Sequence, residues 1–112
     1  MPTNDLDFEL RRYVEEHPEG WGHDQWLGFL AYLSENGHDV SDSDGLGLAL
    51  EHLRLVRVLQ HMEIKGLGAK RVQAIADRFG TLWNLMAASP EDVARIPSIP
   101  RSLAEQILDV LQ

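Results

Sequence analysis

The residues best suited to chemistry in this chain lie together in one short run, Lys65-Gly66-Leu67-Gly68-Ala69-Lys70-Arg71. A glycine turn that opens a helix presents successive backbone N–H groups with no internal partner, and the helix dipole favours negative charge there, so such a turn holds an anion. The amides of Gly66, Gly68, Ala69 and Lys70 are the candidate donors to a phosphate. Lys65, Lys70 and Arg71 surround the turn and would add charge-assisted contacts. Contacts of this kind grip a nucleic-acid backbone without reading bases. Glycine suits the turn because it tolerates positive φ and lets two backbones approach. Leu67, between the glycines, is expected to point back between the flanking helices and set their angle.

The same pattern recurs 32 residues further on. Ile64-Lys65-Gly66-Leu67-Gly68, followed by Val72 and Ile75, aligns with Ile96-Pro97-Ser98-Ile99-Pro100, followed by Ala104 and Ile107. The shared form is apolar, any, small, apolar, any, then a small or branched apolar residue after three more positions. The second copy lacks both glycines. Pro100 removes one N–H that would face a phosphate, whereas the hydroxyl of Ser98 retains a donor. Ile99 precedes proline and is pushed toward an extended conformation, so the turn still forms. Arg95 and Arg101 flank it and would compensate in part.

The elements that must position these turns are helical almost throughout. Leu6, Phe8, Leu10, Tyr13 and Val14 predict an amphipathic helix over about 5–16, stopped by His17-Pro18-Glu19-Gly20. Asp24 is a candidate cap for a second helix, whose Trp26, Leu27, Phe29, Leu30, Tyr32 and Leu33 are apolar all round and predict burial. Asp42 or Ser43 caps a third helix over about 45–62 with a broad apolar band. Shorter helices follow: about 69–79, ended by Gly80; one capped by Thr81; one begun by Ser89-Pro90-Glu91-Asp92 and stopped by Pro97; and a last one over Arg101 to Leu111. The fold class is therefore all-α, with about seven helices in one compact unit.

The stretch Gly66-Leu67-Gly68-Ala69-Lys70-Arg71, then Arg78-Phe79-Gly80-Thr81-Leu82, then Ala88-Ser89-Pro90-Glu91-Asp92-Val93-Ala94-Arg95-Ile96-Pro97, and Leu103-Ala104-Glu105-Gln106-Ile107 resembles a tandem helix-hairpin-helix domain. It resembles the C-terminal domain of the UvrC subunit of bacterial excision repair, with a wider kinship to XPF-type nucleases. The resemblance covers about residues 55–112, preceded by an acidic helical segment, 1–54, with no family likeness. It implies non-sequence-specific binding of double-stranded or junction DNA in repair or recombination. The candidate DNA-binding residues are Lys65, Gly66, Leu67, Gly68, Ala69, Lys70 and Arg71, with Ser98 and Arg101 from the second hairpin. It also implies an alternative, since such units serve as protein-docking or dimerisation modules.

Eighteen acids against ten Lys and Arg give the 112-residue chain a net charge of −8, which taken whole opposes a nucleic-acid partner. Resolved along the chain, residues 1–61 hold four arginines and twelve acids, whereas residues 62–112 hold six bases and six acids. The hairpin region is neutral, with its bases near the turns, and weak, salt-sensitive binding is the expectation. The absence of cysteine excludes disulfides, thiolate metal sites and thiol nucleophiles. Asp42-Ser43-Asp44-Gly45 with Glu51 resembles part of a calcium loop, but Val40 occupies the first ligand position, and a helix cap explains these acids. The five histidines have no metal-ligand spacing, so neither metal nor cofactor is expected. Nor is an enzyme, since no catalytic constellation is present. Trp26 and Trp83 read as core, and Trp21 as a packing anchor. No apolar run approaches ~18 residues and no basic-then-apolar stretch opens the chain, so neither a membrane span nor a signal peptide is expected and the cytoplasm is the expected compartment.

Overall fold

The computed structural model describes residues 5–111. The expectations for the extreme N-terminus and for Gln112 touch residues outside that range. Seven helices follow one another, with no strand among the described residues: α1 (Leu6–Glu16), α2 (His23–Glu35), α3 (Ser43–Gln60), α4 (Ala69–Phe79), α5 (Leu82–Met86), α6 (Pro90–Ala94) and α7 (Arg101–Leu111). Side-chain caps set most of the starts. Asp5 accepts from the amide of Asp7, Asp42 from Gly45, Thr81 from Asn84 and Ser89 from Asp92. At the Asp42 cap, a Cβ on Gly45 would fall within 2.2 Å of the carboxylate, so the glycine is required by the cap itself.

The buried side chains form two clusters. Leu10, Tyr13 and Val14 of α1, Phe29 and Leu33 of α2, and Leu46 and Leu50 of α3 make the first. Leu55 and Leu59 of α3 join Val72, Ile75, Ala76, Phe79, Leu85, Val93, Ile96, Ile99, Leu103, Ala104, Ile107 and Leu108 in the second. Helix α3 thus belongs to both. Its broad apolar band packs on several sides because α1 and α4 lie against different stretches of it. The two clusters are joined through this shared helix, in a molecule with a radius of gyration of 15.6 Å and extents of 47 × 27 × 21 Å.

Three expectations change in detail. Helix α2 begins at His23, one residue before Asp24, and its start is held by the Gln25 side chain accepting from the Gly22 amide at 2.7 Å. Only Phe29 and Leu33 of that helix are buried, and Leu27 stays half exposed, because the first lobe has just α1 and α3 to cover it. Trp83 is not core: it is 74% exposed on α5, while its neighbour Leu85 is fully buried. A five-residue helix has room to turn only one side inward. Trp21 does act as an anchor, edge-on to Tyr13 at 5.4 Å, and Tyr13 stacks on Phe29 at 4.0 Å.

After α3 the chain passes through Glu63 at φ 56°, the one non-glycine residue with positive φ among those described. A side chain in this left-handed region is strained by about 1–2 kcal/mol, partly offset in a glycine variant by the larger entropy of the unfolded chain. Glu63→Gly is expected to stabilise the protein by about 0.5–1 kcal/mol, read as a higher urea midpoint with an unchanged denaturant slope.

Candidate nucleic-acid interface

The two copies of the sequence repeat fold alike. The Leu67 N–H donates to the Ile64 carbonyl at 3.1 Å, and the Ile99 N–H donates to the Ile96 carbonyl at 2.9 Å. The Val72 N–H then donates to the Gly68 carbonyl at 3.0 Å, and the Ala104 N–H donates to the Pro100 carbonyl at 3.0 Å, opening α4 and α7. All four pairs of positions differ by the 32 residues of the repeat. The turns differ in one respect. Gly66 sits at φ 92°, as a type II turn demands of its third residue. Ser98 in the same place has no positive φ, and Pro97 before it suits a type I turn.

The first turn leaves its backbone donors open. Gly68 caps α4 with φ −86° and ψ 178° and provides no side chain to satisfy the helix start. The amides of Gly66, Gly68, Ala69 and Lys70 donate to no acceptor among the described residues. They border an open concavity lined by Ile64, Gly66, Leu67, Gly68, Ala69, Lys70 and Arg71. Lys65 and Lys70 are exposed, and neither is paired with a carboxylate among the described residues. Leu67, a candidate site residue, packs against the second core and so anchors the turn.

Three other candidate side chains are already engaged. Arg71 donates from Nη1 to the Gly66 carbonyl and from Nε to the Ser98 carbonyl at 2.8 Å, bridging the two turns. Arg101 pairs with Glu91 at 2.7 Å and with Glu105 at 3.0 Å. The hydrogen bond to Glu105, followed by the charge of Glu91, raises the Arg101 pKa. Arg95 lies 3.8 Å from Asp92. Ser98 is exposed but its carbonyl is taken by Arg71. The second turn therefore has the backbone course of the first without its free cations. Sequence alone gave no sign of the Arg71 bridge, because Arg71 and Ser98 are 27 residues apart and outside any local pattern.

Two measurements check this geometry. Gly66→Ala forces a side chain into positive φ and should destabilise by about 1 kcal/mol or more, whereas Gly68→Ala, with no atom within 4 Å of the added carbon, should leave the unfolding midpoint nearly unchanged. At the start of α6, in the second hairpin, the backbone hydrogen bond from Ser89 lowers the Asp92 pKa, and the Glu91 N–H and then the Arg101 charge lower that of Glu91. A depressed folded pKa contributes stability that is present above the ordinary carboxylate range and lost as pH falls through the lowered value. Asp92→Asn should thus lose less stability than the parent between about pH 5 and about pH 3, in parallel urea titrations.

Comparison with known proteins places these features in a family. The family model described as the SAM-like helix-hairpin-helix tandem matches residues 57–112. The chain is 45% identical over 86 residues to UvrABC system protein C of Aliivibrio salmonicida (strain LFI1238), covering 77% of this chain and 14% of that protein. It is 50% identical over 56 residues to the same-named protein of Dichelobacter nodosus (strain VCS1703A), covering 50% and 9%, and 42% identical over 82 residues to that of Aliivibrio fischeri (strain ATCC 700601 / ES114), covering 72% and 14%. The chain thus corresponds to a small part of each relative's length. The 86-residue match is 28 residues longer than the segment 55–112, so the likeness also reaches into residues 1–54, where the sequence alone had suggested none. No solved structure matches significantly. With its two matching turns and its all-α architecture, the chain belongs to the SAM-like helix-hairpin-helix tandem family.

Proposed function

We propose that this chain binds the phosphate backbone of double-stranded or junction DNA without sequence preference, through the first hairpin, in a DNA-repair setting. The observation that supports this most is the row of unpartnered amides at Gly66, Gly68, Ala69 and Lys70 beside the unpaired cations Lys65 and Lys70. A phosphate seated there would receive main-chain donors at a helix start and two charge-assisted contacts. Gly68 matters to this reading through what it lacks: no Cβ stands between the ligand and the amides. The second hairpin would add shape more than charge, because Glu91, Glu105 and Asp92 neutralise its arginines. The relatives' name, UvrABC system protein C, agrees with a repair setting and with a partner protein supplying further contacts. The role is that of a binding module with no catalytic residue, and the cytoplasm is the proposed compartment; among the described residues no helix is long and apolar enough to cross a membrane.

A second reading has its own support. Trp83 and Met86 stand exposed on α5, and exposed aromatic side chains favour protein contact. In that reading the hairpins are scaffold for a protein partner or a second copy, and no DNA is bound.

Fluorescence anisotropy with a labelled duplex and a labelled four-way junction, across a range of salt, separates the two. Affinity is expected to fall steeply with salt. Lys65→Glu with Lys70→Glu should weaken it by about tenfold or more at low salt, and Gly68→Ala should weaken it without loss of stability. Salt-independent binding, or binding unchanged by the double charge reversal, would overturn the DNA reading. A stable dimer or protein complex with no retention on DNA would favour the second.

A further inference from the structure

We infer that Arg71 is a positioning residue that locks the two hairpin turns into a single phosphate-facing unit, with its charge between them and its donors facing inward. This rests on the DNA reading above and assigns Arg71 a different role from Lys65 and Lys70. Its guanidinium extends from the first turn of α4 and donates to the carbonyls of Gly66 and Ser98. Those two residues are equivalent positions of the repeat, 32 apart, so one planar group joins the same point of both turns. Held by a single guanidinium, the two carbonyls lie within about 8 Å of each other.

No other side chain bonds one turn to the other among the described residues. The remaining connections between α4 and the second hairpin are the apolar core around Leu85, Ile99 and Leu103 and a non-bonded charge attraction between Arg78 and Asp92. Apolar packing is non-directional, whereas a fork of two N–H groups fixes both distance and orientation. The second turn has the greater need of such a lock, since Pro100 has no N–H and Arg101 is paired with two carboxylates. Its use to a DNA backbone depends on being held at a set distance from the first. Lysine cannot replace Arg71 in this role, because one ammonium lacks the planar fork that reaches both carbonyls.

The test compares Arg71→Met, Arg71→Lys and Lys70→Met in the full chain, titrated with a fluorescein-labelled duplex across salt, with folding checked by circular dichroism. Amide hydrogen exchange of Leu67 and Ile99 is followed in the free protein. If Arg71 is the lock, both Arg71 variants lose affinity several-fold, keep the parent's dependence on salt, and exchange Leu67 and Ile99 faster. Lys70→Met instead lowers the logarithmic salt slope by about 0.9, the loss of one phosphate contact. A similar drop in slope for Arg71→Met, or rescue by Arg71→Lys, would make Arg71 a phosphate ligand and overturn the inference. Unchanged affinity together with unchanged exchange would overturn it as well. Should the parent bind no duplex at all, the DNA reading itself fails and so does the phosphate-facing unit, while faster exchange in Arg71→Met would still establish the contact between the turns.

Discussion

The architecture depends on α3 serving two cores at once. Leu50 and Leu55 are both fully buried, only five residues apart, yet one belongs to the lobe of α1 and α2 and the other to the lobe of the hairpins. A helix presents a new face every residue, and a band broad enough to cover several of those faces lets separate elements pack along its length. Each fully buried leucine contributes roughly 1.5–3 kcal/mol by leaving water. The hairpin turn after α3 inherits its orientation from that packing, since Ile64 and Leu67 rest on the same core as Leu55 and Leu59.

Charge is distributed to suit that division. The excess of acid lies in residues 1–61, and residues 62–112 are balanced. Within the balanced part, the second hairpin pairs its arginines with Glu91, Asp92 and Glu105, and the first leaves its two lysines unpaired. A neutral region can therefore present a local positive surface, because neutrality is reached at one turn and not at the other. The field is modest, so any grip on a backbone is expected to be weak by the standard of strongly basic domains.

Much of the structure was legible in the sequence. The all-α class, the bounds of α4 and α7, the caps at Asp42, Thr81 and Ser89, and the repeat that becomes two matching turns all follow from local rules. Spacing at helical period marks an apolar face, and short polar side chains satisfy free amides wherever they fall. Gly66 was legible for the same reason, since a turn with positive φ has few other occupants. The candidate site was legible as a location, and its backbone donors as a row.

What the tertiary structure alone decided is which side chains remain free. Trp83, Arg71 and Arg101 carry the same local signals as residues that behave otherwise: an apolar neighbour in one case, a cation beside a turn in the others. Their fates depend on contacts far along the chain, where Ser98 meets Arg71 and Glu91 meets Arg101, and on how few partners surround α5. Local sequence determines backbone conformation because its forces act within a few residues. Pairs such as Arg101–Glu105 and Arg95–Asp92 lie within one helical turn or so. The Arg71 bridge, the Arg101–Glu91 pair and the exposure of Trp83 are instead set by the packing of whole helices, which no window of sequence contains.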